Sequence, residues 1–192
     1  MSDSVAQELW QGYNEQGEPS GVLTKSDARF GALHGASHVW IWRRTSGSIE
    51  ILLQRRATDK ATWAGHLDIS AAGHIDAGET PLIAALRETN EELGLAVHTK
   101  DLKLITVHRA NLTADLGGQE VIENEFQFVY LHEMTASTDK IKLFDGEVDE
   151  TYWIPLNELQ NVIDGVSDDV IVPHGQSYFS VLFEFLSQHN QT

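Results

Sequence analysis

The stretch GHIDAGETPLIAALRETNEELGL, residues 73–95, sets four glutamates, one arginine and three glycines at fixed offsets. Gly73 and Gly78 lie in a polar lead-in, Glu79 and Thr80 offer a capping position, Pro81 suits a first helical residue, and Gly94 suits a left-handed exit. These signals predict a loop, a helix of roughly thirteen residues and a turn. Leu82, Leu86, Thr89 and Leu93 fall on one side of that helix and should pack. Glu88, Glu91 and Glu92, spaced i, i+3 and i+4, share another side, which should face a cleft.

Three carboxylates on one helical face repel each other by roughly a few tenths of a kcal/mol per pair unless something neutralises them. A solvated acidic face is the plain reading of such a cluster. Here, however, no Lys or Arg follows at i+4 to any of the three, so a salt-bridged surface helix describes them poorly. Divalent cations that prefer oxygen ligands, Mg²⁺ or Mn²⁺, fit better, because carboxylates and substrate phosphate together hold such ions. Arg87 is placed to brace the loop through Glu79 or a helix glutamate.

Gly73, Glu79, Arg87-Glu88 and Glu91-Glu92-Leu93-Gly94-Leu95 reproduce the signature GX5EX7REUXEEXGU, where U is a bulky apolar residue. In this the chain resembles the Nudix hydrolases. Thr89 alone departs, standing where an apolar residue is usual, and its methyl can still pack. The resemblance implies an α/β fold: an α/β/α sandwich with a mixed sheet and a catalytic loop-helix-loop.

Outside the signature, 192 residues at 41% hydrophobic content suffice for one well-buried core, so residues 1–192 are expected to form a single domain. With 29 acidic against 13 basic side chains and a net charge of −16, a sequence-independent grip on nucleic acid is not expected. A small phosphorylated ligand can still be held by a local basic cluster. The absence of cysteine excludes disulfides and thiol chemistry, and no N-terminal apolar run resembles a signal peptide or membrane span. The expectation is a cytoplasmic protein without a membrane partner; composition leaves the oligomeric state open, a homodimer included.

Residues 1–37 read as an N-terminal extension in which Glu8–Tyr13 and Gly21–Lys25 form a hairpin around a turn-rich Asn14–Pro19. Ser37–Arg43 and Ser48–Arg55 read as a second hairpin, and Arg56–His74 as a connection to the signature. Lys103–His108 and Glu123–Leu131 read as strands flanking Ala110–Gln119, a polar candidate substrate loop, with Asp164–Gly175 a second. Glu150–Ile154 is expected as a strand, Pro155–Val162 as a helix starting at proline, and Ser177–Gln188 as a helix with Tyr178, Val181, Leu182 and Phe185 on one stripe.

Further residues resemble the branch that contains type I isopentenyl-diphosphate isomerases and their hydrolase-like relatives. These are Leu53-Gln54-Arg55-Arg56, Lys60, Trp63, Gly65, Ser70-Ala71-Ala72-Gly73-His74, Glu123-Asn124-Glu125 and Trp153, covering roughly residues 8–160. The isomerases place a proton-shuttling cysteine before the Gly-His pair, where this chain has Ala72. They also hold a metal through three histidines and a Glu-Asn-Glu segment. His38, His74, Glu123 and Glu125 match that set, while the region of the third histidine contains Arg29 and, out of register, His34. Conversely, the isomerases degrade the signature at the positions of Glu88 and Glu91, which are intact here.

The resemblance therefore implies hydrolysis of a diphosphate linkage in a nucleoside diphosphate or a derivative of one. It nominates Glu88, Glu91, Glu92 and the Gly73 carbonyl for metal, with Glu123 and Glu125 as further ligands. Arg87 and Glu79 join Glu91 and Glu92 as catalytic candidates, and Arg56, Lys60 and Lys25 would hold phosphate. The general base stays open among Glu92, Glu91 and Glu125. Glu123 and Glu125, two apart on a strand, share a face that could equally be an exposed edge, and only one of Arg55 and Arg56 can readily face the cleft. Trp40, Trp42 and Trp63 read as core before they read as a substrate platform. An isomerase and a non-catalytic nucleotide sensor are the alternative functions.

Overall fold

A computed structural model of the protein describes residues 8–115, 118, 120–135, 141–143 and 146–189. The chain opens with β1 (Leu9–Tyr13) and β2 (Pro19–Thr24), an antiparallel hairpin, and continues into α1 (Lys25–Arg29), which a Thr24–Asp27 capping box starts. Next come β3 (His34–Arg44), β4 (Ile49–Arg56), β5 (Leu67–Asp68) and β6 (Ala71–His74). The signature supplies α2 (Pro81–Leu93), followed by β7 (Lys103–Asp115), β8 (Glu120–Glu133), β9 (Val148–Pro155), α3 (Leu156–Ile163) and α4 (Gln176–His189).

β3 organises the sheet. It pairs antiparallel with β1, β4 and β6 and parallel with β8, and β4 carries β5 and β9, so the sheet is mixed and curls around β3. The alternation of side chains along a strand divides β3 between two cores. Val39 and Ile41 join Leu52, Ala85 and Leu93 under α2, whereas Trp40 and Trp42 join Ile51, Leu53, Leu159 and Leu182 under α3 and α4. This is the expected α/β/α sandwich. The N-terminal hairpin is bound to it through β1, whose Gln11 N–H donates to Ile75 O at 2.7 Å.

Several elements differ from expectation. Ala110–Asp115 is strand rather than loop: Ala110, Leu112 and Ala114 are half-buried while Asn111, Thr113 and Asp115 are exposed, a period of two that their small size conceals. Of the rest of the expected loop, residues 116, 117 and 119 lie outside the described residues. Arg56–His74 contains β5 and β6. α1 adds a short helix where β2 was expected to continue, and Pro155 caps α3 from outside. On α4 the buried stripe is Tyr178, Phe179, Leu182 and Leu186, with Val181 and Phe185 only half-buried. Among the described residues, no helix is long and apolar enough to cross a membrane.

Candidate active site

α2 begins and ends as its local chemistry dictates. Thr80 Oγ1 accepts from the Ile83 N–H, Pro81 occupies the first turn, and Gly94 closes the helix at φ 65°. Thr89 Oγ1 returns its proton to the Ala85 carbonyl at 2.7 Å, which is how a threonine is accommodated on the packed side. Glu88 and Glu92 are 9% and 3% exposed, while Glu91 stands in solvent. The acidic face is therefore divided between interior and solvent.

Arg87 ties this helix to the loop before it. Its guanidinium meets Glu79 twice, at 3.2 and 2.9 Å, and reaches Glu88 Oε1 at 2.5 Å, Glu91 Oε2 at 3.1 Å and the His74 carbonyl at 2.9 Å. Glu79 and Glu88 hold the Arg87 proton more firmly than burial loosens it. Glu88 in turn lies against the backbone of Gly73: a Cβ there would sit 2.0 Å from Oε1. A side chain at 73 would have to displace the Glu88 carboxylate.

Burial dominates both inner carboxyls. It pushes Glu88 up to about 7 despite Arg87, and it raises Glu92 well above the carboxylate range, helped by the charges of Glu88 and Glu147. Glu92 Oε2 accepts from the Ala72 N–H at 3.0 Å and from Gln54 Nε2 at 3.1 Å, which fixes the carboxyl without neutralising it. Two buried carboxyls one turn apart form a cradle for a positive charge, and oxygen donors of this kind fit a hard divalent cation.

A second donor set adjoins the first through His74. His34, His74 and Glu125 bring ligand atoms within 4.8 Å of one another. His34 Nδ1 donates to the Ala32 carbonyl at 2.9 Å, which turns Nε2 toward Glu125 Oε1 at 3.1 Å. A neutral His34 would oppose a lone pair to a carboxylate there; a proton or a cation resolves the conflict. Burial works against charge on His34, yet Glu125 raises its pKa. Burial likewise works against charge on Glu125, but hydrogen bonds from His34 and His74 hold it well below the usual range. Gln127 Nε2 steadies the other Glu125 oxygen at 3.0 Å, leaving Gln127 Oε1 buried without a hydrogen-bond partner. Trp10, from β1, stacks on His74 with ring centroids 3.6 Å apart.

The set therefore contains His34, not His38. On β3 both point to the same face, four residues apart, and only pairing decides between them: His34 lies opposite Glu125 on β8, while His38 lies opposite Val129. His38 is instead buried beneath α4, where its Nδ1 meets Tyr178 Oη at 2.9 Å and burial pushes its pKa down to about 3. Glu123 stands apart from the set, its Oε1 accepting the indole N–H of Trp63 at 2.7 Å. That bond anchors a tryptophan at φ 54°, a backbone conformation uncommon for a bulky residue. Trp40 and Trp42 are core; Trp63 is half-exposed.

Arg55 and Arg56 diverge. Arg55 runs to Asp169 at 2.8 Å and the Gly65 carbonyl at 3.0 Å, whereas Arg56 meets Asp68 at 3.1 Å and the Thr62 carbonyl. Lys60 Nζ lies 2.7 Å from Glu147, whose charge also bears on Glu88 and Glu92. Lys25 opens α1 with its ammonium largely in solvent, 3.9 Å from Glu8. Ala72 places a methyl and no titratable group beside the site.

The NUDIX domain family model matches residues 33–174. The chain belongs to the Nudix superfamily. Members of this family generally require a divalent metal. It is 33% identical to Nudix hydrolase 3 of Arabidopsis thaliana over 192 residues, which covers 97% of this chain but only 24% of that relative. It is also 28% identical to an isopentenyl-diphosphate Delta-isomerase of Escherichia coli, over 92% of this chain and 95% of that protein. Among solved structures, the DR0079 protein of Deinococcus radiodurans superposes with a TM-score of 0.63 at 19% identity, covering 91% of this chain and 98% of the other, a likeness of fold.

Asp68, His174, Glu147 and Trp10 belong to none of the sequence motifs, whereas Gln54 falls in the Leu53–Arg56 pattern. Asp68 carries a visible signal, the one charged residue of the Leu67–Ala72 run.

Proposed function

We propose that the protein is a Mg²⁺- or Mn²⁺-dependent pyrophosphohydrolase that cleaves a nucleoside diphosphate, or a derivative of one, to a monophosphate. The observation that carries this reading is the pair Glu88 and Glu92, two buried carboxyls one turn apart, Glu88 against the Gly73 backbone and Glu92 on the Ala72 N–H. Glu88, Glu92, Glu91 and the Gly73 carbonyl would hold the cation, and His34, His74 and Glu125 form a second place for one. A divalent cation held there neutralises phosphate charge and acidifies water.

The chain's own residues supply the rest. Arg56 and Lys60 hold the diphosphate, while Arg87 and Glu79 keep the helix and its leading loop in register. Glu91, Glu92 and Glu125 are the base candidates; Glu125 is engaged by His34 and Gln127, and Glu92 by the Ala72 N–H and Gln54. Lys25, exposed beside Glu8, is the least engaged of the three phosphate candidates.

Release of monophosphate from a panel of nucleoside diphosphates, nucleotide sugars and dinucleoside polyphosphates, with Mg²⁺ or Mn²⁺, tests the reading. No turnover alongside tight binding of one compound would replace it with a nucleotide sensor. The His34–His74–Glu125 set and the isomerase relative favour a second reading, interconversion of isopentenyl and dimethylallyl diphosphates. Ala72 opposes it, having no proton to shuttle, and isomerised product without phosphate release would restore it.

A further inference from the structure

Asp68 ends β5, pairs with Gln54 on β4, and is 3% exposed. Its two oxygens have different duties. Oδ2 accepts from Arg56 Nη1 at 3.1 Å; Oδ1 accepts from His174 Nε2 at 2.9 Å and from the Ile69 N–H at 2.8 Å. Three of the carboxylate's four lone-pair directions are thus committed, and it carries its charge: burial would raise its pKa, but His174 and Arg56 hold it down.

The Arg56 guanidinium is oriented by this contact. It gives Nε and one Nη2 proton to the Thr62 carbonyl and one Nη1 proton to Asp68. Of five N–H groups, one on Nη1 and one on Nη2 stay uncommitted among the described residues and are available to phosphate oxygens. His174 is fixed from behind. Its ring stacks on Tyr178 at 4.8 Å, in the first turn of α4, and the segment before it is bonded to β5 through Leu67 N to Val170 O at 2.8 Å and Val172 N to Leu67 O at 2.9 Å.

We propose that Asp68 is a positioning residue for substrate binding: clamped by His174, it holds the Arg56 guanidinium in the orientation that grips the diphosphate. The inference rests on the reading of Arg56 as a phosphate contact. It goes further by assigning the loop ahead of α4, 106 residues from Asp68 along the chain, to the substrate grip.

The test is a double-mutant cycle of Asp68→Asn and Arg56→Gln, read by calorimetric binding of inorganic pyrophosphate with Mg²⁺ and by KM and kcat on any substrate the panel yields. Asn at 68 must turn an amide nitrogen toward one of two donors. Pyrophosphate affinity is expected to fall roughly ten- to a hundredfold in each single variant, with KM rising more than kcat falls. The double variant should bind no more weakly than Arg56→Gln alone, which a merely structural Asp68 would not produce. Losses that multiply, or an Asp68→Asn protein with unchanged affinity, overturn the proposal while leaving Arg56 as a phosphate contact. Unchanged affinity in Arg56→Gln overturns that contact, and the proposal with it. If Asp68→Asn does not fold, His174→Gln replaces it in the cycle; it leaves Asp68 in place and should weaken binding in the same non-additive way.

Discussion

The carboxylate of Glu88 occupies the space in which a side chain on Gly73 would begin, with Oε1 2.0 Å from the ideal Cβ position. Backbone and carboxylate are thereby held together at one point, next to His74 and its donor set. Gly73→Ala should displace the Glu88 carboxylate, the only movable partner, and with it the bond to Arg87. Mg²⁺ affinity measured by calorimetry is expected to fall at least about tenfold and turnover with it, while thermal stability changes little because the displaced atoms end a side chain. A fully active Gly73→Ala protein would remove Glu88 from the metal site.

Arg87 to lysine is expected to be a severe change. The guanidinium contacts Glu79 through two nitrogens and also serves Glu88, Glu91 and the His74 carbonyl, a geometry that an ammonium cannot reproduce. The side chain is a quarter exposed, so solvent screens part of the loss, and about 1–3 kcal/mol of destabilisation in urea unfolding is expected for Arg87→Lys. Turnover should fall further than stability accounts for, because Glu88 and the Gly73–His74 carbonyl side lose their common partner.

What the sequence disclosed and what it withheld divide along the range of the interactions. Thr80, Pro81 and Gly94 bound α2 through chemistry within a few residues, and so their roles could be read directly. The choice of His34 over His38 could not be read, because both share a strand face and the pairing of β3 with β8, about ninety residues later in the chain, decides which one meets Glu125. The Asp68–His174 contact spans 106 residues and has no local trace. Ala110–Asp115 was concealed for another reason: alanines give strand alternation too little hydrophobic contrast to stand out.

Acid should weaken the fold partly through His38. Burial pushes its pKa down to about 3, whereas the unfolded chain takes the proton near 6.5. A depressed pKa contributes stability that is present above pH 6.5 and is lost as pH falls toward 3. Between pH 7 and pH 4.5 wild type should lose about 2 kcal/mol more unfolding free energy than His38→Gln, which keeps a polar atom for the Tyr178 hydroxyl but does not titrate. Parallel losses in the two proteins would show that His38 is protonated without cost.

Glu92→Gln separates function from folding most sharply. Burial raises the Glu92 pKa, so its stability contribution is present below the unfolded value and is lost progressively as pH rises toward the folded one, which leaves the metal-free protein less stable at pH 8 than at pH 4 on this account. A glutamine carbonyl can accept the same bonds from the Ala72 N–H and Gln54 Nε2 without a charge. Metal-free Glu92→Gln should therefore melt higher than metal-free wild type at pH 8, by about 2–4 °C for each kcal/mol regained. Added Mg²⁺ should reverse the order, raising the melting temperature of wild type while leaving that of the variant nearly still. Turnover should fall by roughly two to four orders of magnitude. Near-normal activity would show that α2 is not the metal platform, and a lower metal-free melting temperature would show that Glu92 already has a compensating partner in the fold.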